Sequence, residues 1–170
     1  MLDRTIGIPS PVAPASVPFA ISPLASGIGV EISGVDCAAE ISDAVFAQIK
    51  SAWEDKCVAL FRHQNLDEWQ ESNFAARFGQ LGKVLHKHNG ASQVPGVMYI
   101  SNIRENGELI GSLPDGEMFF HSDQCYTPNP AIATMLYAME IPSAGGNTLF
   151  ANCFKAYDTL PDEVKRRIDG

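Results

Sequence analysis

The amino-acid sequence predicts a mainly β chain with flanking helices, an α+β class. Short runs that alternate apolar with polar residues or are wholly apolar recur along it, namely "IGVEIS", "CVALF", "VMYISNI" and "AIATMLYAME", and runs of this length and composition suit strands. Between and after them lie segments whose apolar residues recur at helical spacing behind a capping residue. Gly and Pro, 14 and 11 of 170 residues, punctuate the chain where turns are needed.

Taken in order, residues 1–26 are rich in Pro, Ala and Ser from residue 9 onward and are expected to form an extended N-terminal arm. Residues 27–170 then read as one domain. "IGVEIS" (28–33) alternates as a half-buried strand does. Ser42 suits the N-cap of a helix whose apolar positions are Val45, Phe46, Ile49 and Trp53. "CVALF" (57–61) is expected to be a buried strand. Asp67 with Gln70 three residues later has the form of a capping box, and Gly79 stands where that helix would stop. Strands are expected over 97–103 and 131–140, followed by "PSAGGNTLF" as a tight turn feeding another strand. "LPDEVKRRIDG" is expected to be a helix with Pro161 at its first position. Its acids come first and its bases last, as the helix dipole favours.

Composition narrows the function. The formal charge of −8, with only 12 Lys and Arg, argues against a phosphate-tracking surface and for a small-molecule partner rather than nucleic acid. The four cysteines (Cys37, Cys57, Cys125, Cys153) contain no CxxC spacing, so neither a zinc knuckle nor a disulfide framework is indicated and a reducing cytoplasm is expected. Prolines interrupt the N-terminal segment where a signal sequence needs an apolar run, and no stretch approaches the roughly 20 apolar residues of a membrane span.

The chemistry-bearing stretch is "MFFHSDQCYTPNP" (118–130), where His121 and Asp123 follow two phenylalanines. A carboxylate placed against an apolar flank needs a partner, because burying an unpaired charge costs several kcal/mol. On a strand, residues two apart project from the same face, so an imidazole nitrogen and a carboxylate oxygen would meet at one point. That is two-thirds of the 2-His-1-carboxylate set of non-haem Fe(II) sites, which leaves three positions open. Zinc hydrolases use similar ligands but keep one position for water. An HxD triple is a weak signal on spacing alone, and an accidental polar pair is the bland alternative.

The order of segments "GVEISGVDCAAEISDAVFAQIKSAWEDKCVALFRHQNL", "FAARFGQLG" and "FFHSDQCYTPNPAIATMLYAMEIPSAGGNTLFANCFKAYDTLPDEVKRRIDG" closely resembles the TauD/TfdA family of Fe(II)- and 2-oxoglutarate-dependent dioxygenases. The most specific part runs from HSD through "PSAGGNTLF". The resemblance implies a double-stranded β-helix, or jelly roll, of which residues 27–170 would be the N-terminal part. It implies His121 and Asp123 as iron ligands and Thr148 as a hydroxyl donor to a carboxylate of 2-oxoglutarate. Without the resemblance, Thr148 reads as an ordinary β-branched strand residue. The implied reaction consumes 2-oxoglutarate and O2, releases succinate and CO2, and hydroxylates a small organic, anionic substrate.

For the substrate pocket the resemblance implies His86, with His88 competing for the role, together with Tyr126 as an aromatic wall and Asn102. Each also has a bland reading: a solvated loop histidine, a core tyrosine and a turn asparagine. His63 reads as a loop residue. Glu117 stands four residues before His121, where taurine-type enzymes carry asparagine, and an anion there argues against a sulfonate. The family's second iron histidine and its 2-oxoglutarate-binding arginine fall beyond the matched segment and have no counterpart here. Either the chain is part of a longer or two-chain oxygenase, expected to be a homo-oligomer when complete, or it is a non-catalytic remnant that binds a partner chain. A zinc hydrolase ranks third, for want of a recognisable general base. A half jelly roll is expected to leave strand edges and apolar faces uncovered.

Overall fold

The computed structural model describes residues 18–25, 27–83, 92–109, 111 and 119–169. Strand β1 (Ala20–Pro23) pairs antiparallel with β2 (Val30–Ser33), and β2 pairs parallel with β3 (Ala59–Phe61). β1 corrects the expectation of a free arm up to residue 26, because the Pro-rich composition ends in a segment that finds an edge on β2. Pro23, which has no N–H to donate, closes the end of that edge strand opposite Val30. The β1–β2 turn depends on Gly29: its φ is 91°, and a Cβ there would come within 3.1 Å of the Val58 Cβ.

The crossover from β2 to β3 is helix α1 (Asp43–Lys56), started by Ser42, whose hydroxyl accepts from the Val45 N–H. Phe46 and Ile49 are buried from α1, and Ile49 packs with Val30 and Ile32 of β2. α1 ends on Cys57 in the left-handed conformation (φ 68°), its N–H bonded to the Trp53 carbonyl. Cys57 is therefore a helix cap, not the first residue of a strand, and β3 starts only at Ala59.

Helix α2 (Glu68–Ala76) has both halves of the expected capping box: Gln70 N–H donates to Asp67 Oδ1 and Asp67 N–H to Gln70 Oε1, each at 2.8 Å. It stops at Ala76, before Gly79. Phe74 on its inner face meets Phe46, Phe61 and Phe78 edge-on, with ring centres 5.5–6.3 Å apart, the arrangement aromatic quadrupoles prefer. Just past the helix, Arg77 donates to the Ile41 carbonyl (2.6 Å) and to Asp43 Oδ1 (2.8 Å), while its guanidinium lies 4.1 Å over the Phe46 ring. One side chain thus joins the end of α2 to the start of α1.

Beyond α2 the expected strands do not form ladders among the described residues. Instead β4 (Arg104–Glu105) and β5 (Glu108–Leu109) make a hairpin around Asn106–Gly107, both at positive φ, the dipeptide that two-residue hairpin turns favour. The 131–140 segment nevertheless keeps the period of a strand: Met135 and Tyr137 are half-buried, while Thr134, Leu136 and Ala138 are exposed. Met135 packs against the Cys37–Phe46–Phe74 cluster. The Tyr137 hydroxyl accepts from the Leu66 N–H (3.2 Å) and donates to the Gln64 carbonyl (3.3 Å). Gln64 in turn bonds the Cys37 N–H and the Val35 and Arg62 carbonyls.

Helix α3 (Cys153–Asp158), capped by Asn152, was not anticipated. In α4 (Asp162–Ile168) Pro161 is the N-cap and Asp162 the first residue, one position from expectation. Phe119, Phe120, Leu136, Met139, Ile141, Leu149 and Phe150 are each more than half exposed, so these apolar side chains carry little cover among the described residues. No helix among the described residues is long and apolar enough to cross a membrane.

Burial, reinforced by the neighbouring Asp36 carboxylate, pushes the Cys37 thiol up to about 12. At pH 8 iodoacetamide is expected to label the exposed Cys125 and Cys153 and spare Cys37; peptide mass spectrometry showing Cys37 labelled as fast as Cys125 would contradict the packing. Tyr137→Phe removes both bonds to the Gln64–Leu66 loop and is expected to lower stability by about 1–2 kcal/mol in urea unfolding.

Candidate metal centre

The chain approaches the centre through Phe119 and Phe120 and leaves it by a tight turn. Gln124 takes a left-handed conformation (φ 52°), and its carbonyl accepts from both the Thr127 N–H and hydroxyl. His121 and Asp123 therefore belong to no ladder, contrary to the strand expected of them. They still converge, with His121 Nε2 3.2 Å from Asp123 Oδ1.

Hydrogen bonding defines the imidazole. Nδ1 lies 2.8 Å from the Phe119 carbonyl, which can only accept, so Nδ1 carries the proton. The Phe119 carbonyl first, and the Asp123 carboxylate second, hold the His121 pKa above its ordinary value. In the neutral ring Nε2 is then a lone pair facing a carboxylate oxygen. Two acceptors at that separation repel unless something positive, a proton or a metal ion, sits with them.

The donor set fits a metal. Two ligands bound at right angles to one ion at about 2.1 Å would lie about 3 Å apart, close to the observed separation. A metal-binding histidine that gives its other N–H to a carbonyl is also the usual arrangement. Among the described residues no third His, Cys, Asp or Glu joins the pair. The second oxygen of Asp123 is engaged: the Thr134 hydroxyl donates to Oδ2 at 2.5 Å. Thr134 was not singled out from sequence, although its even position in the alternating 131–140 run, opposite Met135 and Tyr137, was a signal that it faces away from the core.

Among the described residues, no hydrogen bond or ion pair joins Thr148, Tyr126 or Asn102 to the pair. Thr148 follows the expected tight turn, in which Gly145 and Gly146 have φ of 77° and 67°. It is exposed and makes no hydrogen bond to another described residue. Tyr126 is 74% exposed. Asn102 is exposed in the loop before β4. His63, at φ 55°, is the exposed loop residue expected after β3. His86, His88 and Glu117 lie outside the described residues.

Comparison with known proteins supplies the context. Residues 20–170 match the model of the taurine catabolism dioxygenase TauD, TfdA family. An (S)-phenoxypropionate/alpha-ketoglutarate-dioxygenase of Sphingobium herbicidovorans is 31% identical over 89% of this chain and 51% of its own length. Pentalenolactone F synthase of Streptomyces avermitilis is 33% identical over 84% of this chain and 48% of its own. A taurine dioxygenase from Burkholderia xenovorans superposes with a TM-score of 0.73 at 29% identity, over 89% of this chain and 51% of the other. The chain spans about half the length of the curated relatives it matches. Its fold of a mixed sheet with helices, its HxD pair and its match over nearly all described residues place the chain in the TauD/TfdA family.

Proposed function

We propose that the chain is the part of an Fe(II)- and 2-oxoglutarate-dependent dioxygenase that carries the HxD pair, acting on a small organic anion with release of succinate and CO2. The observation that carries the reading is the convergence of His121 Nε2 and Asp123 Oδ1 on one point, in a chain several of whose relatives are named as alpha-ketoglutarate dioxygenases. Its fold would be the first part of a jelly roll whose second part covers the exposed apolar side chains, and the second histidine and the arginine clamp would come from that second part.

His121 and Asp123 would hold the iron. The Phe119 carbonyl fixes the ring tautomer so that Nε2 is free to bind, and Asp123 brings the negative charge that offsets part of the cation's. Thr148 would donate its hydroxyl to a carboxylate of 2-oxoglutarate. His86, Asn102 and Tyr126 would contribute to the substrate pocket. O2 activation coupled to oxidative decarboxylation of 2-oxoglutarate is the chemistry that Fe(II) supplies when bound there. The substrate class rests on the relative that acts on a phenoxypropionate.

The test is succinate formation by the protein with Fe(II), ascorbate and 2-oxoglutarate against a panel of phenoxy acids, sulfate esters and sulfonates. Succinate that rises with one of these anions supports the reading. Metal binding without succinate from any of them would favour the non-catalytic half-domain. Asp123→Ala is expected to abolish 2-oxoglutarate turnover with an unfolding curve close to that of the unsubstituted protein; retained turnover would remove Asp123 from the site. Thr148→Val is expected to weaken 2-oxoglutarate binding by about 1–2 kcal/mol, read by calorimetry, with metal affinity unchanged.

A further inference from the structure

The two oxygens of Asp123 have separate partners: Oδ1 faces His121 Nε2, and Oδ2 accepts from the Thr134 hydroxyl. A carboxylate is an acceptor through both oxygens, and as a metal ligand it can bind through one or both. Binding through both would take one of the three positions that the 2-His-1-carboxylate set leaves open.

We propose that Thr134 is a positioning residue that holds Asp123 to one-oxygen metal binding, turning Oδ1 towards the metal and keeping the adjacent position free for co-substrate. This rests on the reading of His121 and Asp123 as metal ligands. Three features make Thr134 a fixed donor. Its β-branched side chain has restricted χ1 freedom. Its neighbour Met135 packs on the Cys37–Phe46–Phe74 cluster. Tyr137, on the same face as Met135, is bonded to Leu66 and Gln64. The alternation that turns the half-buried Met135 and Tyr137 inward turns Thr134 outward, where Asp123 arrives from the Gln124 turn. The hydroxyl thus links the ligand to the aromatic core through one short stretch of chain. Hydrogen bonds to ligating carboxylates are worth about 10–100-fold in metal affinity.

The experiment titrates Mn(II) into the protein and follows free Mn(II) by electron paramagnetic resonance, for the unsubstituted chain, Thr134→Val, Thr134→Ser and Asp123→Ala, with thermal unfolding of each. Thr134→Val keeps the side-chain shape and removes the donor. It is expected to weaken Mn(II) binding about tenfold and to broaden the bound-ion spectrum, with the melting temperature nearly unchanged, while Thr134→Ser restores binding. Equal Mn(II) affinity in Thr134→Val and the unsubstituted protein, with binding lost in Asp123→Ala, would overturn the role of Thr134 and leave the metal reading standing. Unsubstituted protein that binds no Mn(II), or Asp123→Ala that binds it normally, would overturn the metal reading and this inference with it. Should Thr134→Val not fold, Thr134→Ala carries the same comparison.

Discussion

The Tyr137 hydroxyl, bridging the Leu66 N–H and the Gln64 carbonyl, is the contact that ties the 131–140 segment, and with it Thr134, to the first half of the chain. With Met135 it anchors a segment that has no neighbouring strand among the described residues. Because side chains alternate on an extended chain, anchoring residues 135 and 137 decides the direction of 134. The metal pair is held to the body of the protein from that side, through Thr134 and Asp123, and a turn of one residue's register would remove the link.

That anchor is only as firm as what it is tied to. Gln64 uses both ends of its amide to join the loop after β2 to the end of β3. Below it, the edge-on packing of Phe46, Phe61, Phe74 and Phe78 fills the space between α1, α2 and the sheet. Arg77 closes the same space from outside, its charge partly satisfied by Asp43 and its plane laid on Phe46. The exposed apolar side chains from Phe119 to Phe150 show where this packing stops. Apolar side chains exposed in such number normally meet a covering surface.

Residues 27–80 were largely legible because their signals are local. Ser42, the Asp67–Gln70 box and the apolar spacing of α1 each act within a few residues, and the structure shows each of them. The Cys57 cap and strand β1 were not legible in the same way. A left-handed cap on a cysteine has no composition signal, and β1 exists because β2 offers it an edge. The Asn106–Gly107 hairpin and the Asn152 cap of α3 do carry local signals, a two-residue turn dipeptide and a capping asparagine, but the elements they bound are only two to six residues long. The strands expected over 97–103 and 131–140 have the right residues but enter no ladder among the described residues, and a ladder needs a partner as well as a pattern.

By itself the sequence determined the family, the α+β class, the metal-capable pair and the alternation of the 131–140 segment, because each is written in residue type and spacing. Only the tertiary structure decided that His121 and Asp123 meet outside any strand, that the Phe119 carbonyl sets the imidazole tautomer, and that Thr134 rather than a residue nearer in sequence completes the carboxylate. The first is between two side chains two residues apart, the second is to a backbone carbonyl, and the third joins side chains eleven residues apart. They arise when packing against the aromatic core fixes where each segment lies, and no local pattern encodes that position.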